Sequence, residues 1–111
     1  MRFEDVQAEV AAFRDDRDWR QFHNPKDLAI SVSLEASELL ETFQWSGTDL
    51  ECKDKEASIG EELADVMIYC LLLADRLGMD PVQLMHDKIQ KNARKYPVDK
   101  ARGSSKKYTE L

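Results

Sequence analysis

The sequence predicts an all-α protein, a compact four-helix bundle, on three observations. Apolar residues recur at helical spacing through most of the chain. Two cap-then-proline starts, Asn24-Pro25 and Asp80-Pro81, open helices, and no segment alternates apolar and polar residues as a half-buried strand does.

In chain order, Phe3, Val6, Val10 and Phe13 predict a first helix over roughly residues 3–14. The polar stretch DDRDWRQFH follows. Asn24 then caps a second helix, with Pro25 at its first position and Asp27 three residues past the cap, running to about Phe43. SGTDLECKDK reads as a loop. A third helix spans about Glu56 to Leu77 and stops at Gly78; its second half is apolar on every side, which predicts the central, fully buried helix. A fourth runs from Asp80-Pro81 to Tyr96-Pro97. The tail VDKARGSSKKYTEL lacks helical periodicity, so the helical domain is 1–96, with 97–111 a basic tail of the same domain.

A chain of 111 residues with 42% hydrophobic content builds one small core, and enclosing a large ligand calls for shared subunits, a homodimer or homotetramer. A net charge of −6 argues against a nucleic-acid polymer as partner. It leaves room for a small phosphorylated ligand, because multivalent cations reverse the sign of a local site. The longest uncharged apolar run, VMIYCLLLA, is too short to span a bilayer, which takes about 20 residues. MRFEDVQAEV has no apolar signal segment, and Cys70 inside the apolar run reads as a buried free thiol in a reducing cytoplasm. No Cys/His spacing suggests zinc.

One anomaly carries chemistry. Leu28, Val32, Leu39 and Phe43 form an apolar stripe, yet on a wheel of about 100° per residue Glu35 falls between Leu28 and Val32, and Glu38 between Leu28 and Leu34. The third helix repeats the pattern: Glu62 sits among Val66, Tyr69 and Leu73, and Asp65 beside Tyr69 and Leu72. Two helices thus each turn an i, i+3 acidic pair toward a packing face. Four unpaired carboxylates brought together repel one another strongly, and the only cationic side chains of those helices, Lys26 and Arg76, stand near their ends. Oxygen ligands without histidine suit Mg2+, with Mn2+ as a substitute. A single such pair is usually a solvated helix face, and Glu41 and Glu61 read that way. A di-iron carboxylate bundle needs Glu-x-x-His pairs, and neither His23 nor His86 follows a glutamate by three.

The fourth helix places Asn92 within a stripe of Val82, Met85, Ile89 and Tyr96, flanked by Lys88 and Lys95. Such an asparagine can simply fix register; beside a metal-held polyanion, an amide and two ammonium groups suit phosphate oxygens. Trp19 and Trp45 sit at helix boundaries and Tyr69 one turn after Asp65. Packing is one role for the tryptophans; stacking a planar base between them is the other.

These residues resemble the all-α nucleoside triphosphate pyrophosphohydrolases of the MazG-like family, closest to the single-domain branch that includes dCTP pyrophosphatase. The matching stretches are RDWRQFHNPKDLAISVSLEASELLETFQW, EELADVMIY, KNARKYP and RGSSKKY, about residues 17–108. The resemblance implies a helical dimer or dimer of dimers and a house-cleaning hydrolase that cuts a deoxynucleoside triphosphate, such as dCTP or a modified dNTP, to monophosphate and pyrophosphate. It implies Mg2+ on Glu35, Glu38, Glu62 and Asp65 as the metal-binding and catalytic set. It implies base contacts from Trp19 and Trp45, with Tyr69 and Asn92 nearby, and phosphate contacts from Lys26, Lys88 and Lys95. Val10 departs from the pattern: the animal dCTP enzymes have a base-proximal histidine there, so strict dCTP specificity does not carry over. A non-catalytic helical dimer that senses nucleotide or metal is the alternative function, and a plain interaction bundle with surface carboxylates a third.

Overall fold

Helix starts follow the local chemistry. Asn24 Oδ1 accepts from the Asp27 N–H at 2.8 Å while Asn24 Nδ2 donates to Asp27 Oδ2 at 2.7 Å, and Pro25 fills the first helical position. Asp80 Oδ1 accepts from the Val82 N–H at 2.9 Å ahead of Pro81 in the same way. Gly78, at φ +67°, adopts the left-handed turn that ends the third helix. The computed structural model, which describes residues 1–111, contains α1 (Phe3–Asp16), α2 (Pro25–Glu41), α3 (Glu56–Arg76), α4 (Pro81–Lys95) and a single turn, α5 (Val98–Ala101), with no strand. Short 3-10 turns cover Trp19–Phe22, Lys53–Lys55 and Tyr108–Glu110. The all-α class expected from the sequence is what the chain adopts.

The chain divides into two units, Met1–Gly78 and Met79–Leu111. In the first, α2 and α3 form the principal pair and α1 packs against α3. Leu28 and Cys52 are fully buried, and Leu72 and Ala74 are buried beside them. Arg14 is buried as well: its Nε donates to Asp15 Oδ1 at 2.8 Å and its Nη1 to Asp75 Oδ2 at 2.5 Å, tying α1 to the end of α3. The hydrogen bond from Arg14 holds the Asp15 carboxyl below its ordinary value. In the second unit the tail returns to the end of α4. Tyr108 meets Tyr96 edge to face at 5.9 Å, and Lys95 Nζ lies 4.9 Å from the Tyr108 ring centre.

Four expectations are corrected. The second half of α3 is not enclosed: Leu72 and Ala74 are buried, but Met67 is 53% exposed and Ile68 is open too, because one chain supplies neighbours for only part of the helix circumference. The buried thiol is Cys52, held in the loop by Asp49, whose Oδ1 accepts from the Cys52 N–H at 3.1 Å; Cys70 is exposed. Helix α2 stops at Glu41, two residues before the expected Phe43, where the Thr42 hydroxyl donates to the Leu39 carbonyl at 2.6 Å. The tail is not free of helix, since a turn forms at Val98–Ala101 behind Pro97.

Candidate active site

The anomalous carboxylates converge. On α2, Glu35 points toward α3; on α3, Glu62 and Asp65 stand one turn apart, and one oxygen from each of the three lies within 4.8 Å of the others. Glu38, exposed, is outside that group but within hydrogen-bonding reach of both Glu35 and Glu62. The helix pair that buries Leu28 and Leu72 is what forces the approach: the acids share the packing faces of those leucines, so docking the apolar stripes draws the acids together.

The electrostatics match that geometry. Burial, then the neighbouring Glu38, Asp65 and Glu62, push the Glu35 carboxyl up to about 7 from an ordinary value of 4.5. Burial raises Glu62 too, helped by Glu38, Asp65 and Glu61. Glu35 Oε2 and Glu62 Oε2 are shielded from water and have no hydrogen-bond partner. Buried acceptors without donors are rare, because each loses its water and gains nothing. The donor set is all carboxylate oxygen, with no nitrogen or sulfur among the three. That chemistry fits a hard divalent cation, which would answer the crowding, the repulsion and the orphaned oxygens together.

Beside the cluster lies a cavity of about 440 Å³ whose lining comes entirely from the first unit. Glu35, Asp65 and Tyr69 border it, Trp19 and Phe13 form an aromatic wall, and Val10, Ile68 and Leu72 make it largely apolar. Phe13 and Trp19 meet edge to face at 5.7 Å, and the Arg17 guanidinium lies 3.6 Å from the Phe13 ring centre. The cavity is large enough for a nucleoside-sized ligand, apolar with a few polar groups.

Of the residues expected at the site, Glu35, Asp65, Trp19 and Tyr69 line this cavity, with Glu62 and Glu38 joined to it through the cluster. Trp45 does not line it. It is 92% exposed in a left-handed turn, φ +67°, so within one chain the two tryptophans do not sandwich a base. Lys26 is exposed on the first turn of α2. Lys88, Asn92 and Lys95 belong to α4 of the second unit, all exposed; Lys88 borders a shallow depression with Leu84 and Met85. Phe13 and His23 are lining residues that sequence reasoning did not assign. Phe13 read as one more member of an apolar stripe, and His23 was weighed only as a metal ligand.

A model of the MazG-like family matches residues 30–111. The chain is 42% identical to dCTP pyrophosphatase 1 of Homo sapiens over 114 residues, covering 97% of this chain and 66% of that protein. It is 40% identical to the Bos taurus protein of the same name over 113 residues, covering 97% and 67%. The chain therefore spans about two-thirds of the length of these relatives. It is similar to a pyrophosphatase of known crystal structure from Archaeoglobus fulgidus, with a TM-score of 0.78 and 42% identity over 85% of this chain and 91% of that one.

Proposed function

The chain belongs to the MazG-like family of nucleoside triphosphate pyrophosphohydrolases, and from that premise we propose that it hydrolyses a deoxynucleoside triphosphate, dCTP or a modified dNTP, to monophosphate and pyrophosphate. The observation that carries this reading is the convergence of Glu35, Glu62 and Asp65 within 4.8 Å beside an aromatic cavity.

Glu35, Glu62 and Asp65, with Glu38 beside them, would hold Mg2+, with Mn2+ able to substitute. When bound, the cation supplies positive charge that offsets the carboxylates, neutralises triphosphate oxygens and polarises the α-phosphorus. Glu38, exposed at the edge of the cluster, is the carboxylate assigned to orient the attacking water and accept its proton. Attack at the α-phosphorus breaks the bond between it and the bridging oxygen to the β-phosphate, and pyrophosphate departs with that oxygen. Trp19 and Phe13 take the face of the base, with Tyr69 beside it. Following the resemblance, Lys26, Lys88 and Lys95 are assigned to the phosphates, where ammonium donors meet anionic oxygen, and Asn92 to the surroundings of the base.

A second copy completes the enzyme, as a dimer or a dimer of dimers. The single chain leaves Trp45 and Met67 of the first unit and Val82, Met85 and Ile89 of the second exposed, apolar side chains that a partner surface would cover. Residues 1–96 and the 97–111 tail serve this one activity. No helix is long and apolar enough to cross a membrane, and we assign the protein to the cytoplasm.

Pyrophosphate release from the four standard and several modified dNTPs, with Mg2+ and with chelator, tests the proposal. Mg2+-dependent release from at least one dNTP, lost in Glu38→Gln, is expected. Nucleotide binding without release would turn the reading to a sensor, and no effect of nucleotide or Mg2+ on melting would end it.

A further inference from the structure

Helix α1 forms one wall of the cavity through Val6, Val10 and Phe13, and a helix that borders a void cannot be fixed by packing into it. Its one buried side chain is Arg14, 3% exposed, whereas Phe13 beside it is 50% exposed. The guanidinium meets Asp15 as a fork, Nε donating to Oδ1 at 2.8 Å and Nη2 to Oδ2 at 3.3 Å, while Nη1 crosses to Asp75 Oδ2 in the last turn of α3. The other side-chain hydrogen bonds of α1 stay within the helix or its flanking residues. Arg20, in the turn Trp19–Phe22, closes the circuit, with Nε 3.7 Å from Asp15 Oδ1 and Nη2 3.7 Å from Asp75 Oδ2.

Two cations and two anions thus alternate around a ring that touches α1, the turn and α3. Arg20 is exposed and its pairs are long, so the clasp rests on Arg14 and Asp75. Stability alone does not account for it, because apolar residues of similar volume usually hold a core as well as a buried ion pair does. A guanidinium fork supplies direction instead, since its donors lie in one plane at set angles. Here that direction is spent on the end of the helix that walls the cavity.

Resting on the nucleotide reading above, we propose that Arg14 and Asp75 are positioning residues for base binding: their bond fixes the end of α1 against α3 and so sets the distance between the wall carrying Val10 and Phe13 and the wall carrying Ile68 and Tyr69. They act through those walls and not by touching substrate. The clasp governs the base half of the site alone. Glu35, Glu62 and Asp65 stand on α2 and α3, the principal packed pair, whereas α1 packs on α3 from the side. Releasing α1 therefore loosens the grip on the base and leaves the carboxylate cluster in place.

The test compares wild type with Arg14→Met, Asp75→Ala and the double variant, on the best substrate among dCTP, dTTP, dATP and dGTP. Met keeps the length of the side chain without its charge, and Ala removes the acceptor on α3. Inhibition by Mg2+-tripolyphosphate, which has phosphates and no base, reads the metal half of the site separately. Each single variant is expected to raise KM about 5- to 30-fold with kcat and the tripolyphosphate inhibition constant within about twofold of wild type. The double variant should be no more than about twofold worse than the worse single one, because both break the same bond. Arg14→Lys, which keeps the charge without the fork, should fall between wild type and Arg14→Met. A lower kcat at unchanged KM would show only a loss of folded protein and overturn the proposal. So would KM and the inhibition constant rising together, or effects that multiply in the double variant. If Arg14→Met does not fold, Asp75→Ala decides, since that side chain is half exposed: a raised KM upholds the proposal and a wild-type KM overturns it. Failure of the underlying reading looks different, since the wild-type protein would then release pyrophosphate from none of the four and the proposal would fall with it.

Discussion

Replacing Glu35 by Gln should stabilise the metal-free protein at alkaline pH while weakening its response to Mg2+, a combination ordinary packing does not produce. The Glu35 carboxyl ionises near 7 in the fold against about 4.5 when unfolded. A carboxyl raised in this way favours the folded state while protonated. Its contribution is fully present below about 4.5 and is lost as pH rises through about 7. Two carboxylates whose oxygens lie within 4.8 Å of each other repel by at least about 3.5 kcal/mol at an effective dielectric constant of about 20 and about 0.9 kcal/mol in water. Glu35 is partly open to solvent, so the realised penalty above pH 7 is about 1–2 kcal/mol. Glu35→Gln removes that charge and keeps the shape. In thermal melts with chelator at pH 8 and fixed protein concentration, the variant should melt about 3–8 °C above wild type; at pH 5, where Glu35 is protonated, the two should agree within about 1 °C. Saturating Mg2+ at pH 8 should raise the wild-type melting temperature and move the variant far less. Wild type and Glu35→Gln melting together at both pH values, or an undiminished Mg2+ effect in the variant, would refute the reasoning.

Glu38→Gln and Asp65→Asn should each lower pyrophosphate release at least about 100-fold while the circular-dichroism melt moves by no more than about 3 °C, since both carboxylates are exposed and neither supports the core. Leu28→Ala should cost about 2–5 kcal/mol in urea unfolding, because Leu28 is 1% exposed at the centre of the first unit; a loss below about 1 kcal/mol would show that the α2–α3 interface is not as closed as described. Asn24→Ala should cost about 1 kcal/mol by the same measurement, with Asn24→Asp nearly neutral, because the cap accepts from the Asp27 N–H.

Helix positions were legible because helix signals are local. Asn24-Pro25, Asp80-Pro81 and Gly78 act through bonds that span three or four residues, so reading along the chain finds them. The tail turn at Val98–Ala101 was missed because a single turn leaves no periodicity to count. Glu35, Glu38, Glu62 and Asp65 stood out because a carboxylate in an apolar stripe contradicts the pattern around it, and that contradiction is visible without coordinates. Trp45 is placed beside Trp19 in the sequence by its helix-boundary position and by the family resemblance, whereas the turn that leaves it 92% exposed in the single chain is set by backbone the pattern does not encode.

The sequence by itself determined the helical class, the caps and which acids were out of place, because each depends on neighbours within a turn or two. Tertiary packing alone decided how near Glu35 comes to Glu62 and Asp65, that Arg14 reaches Asp75 across 61 positions, and that His23 enters the wall beside Trp19. The physical reason is one of range. Hydrogen bonding along a helix is read from adjacent residues, whereas burial and charge proximity exist only once α2 docks on α3 and distant side chains share one low-dielectric space.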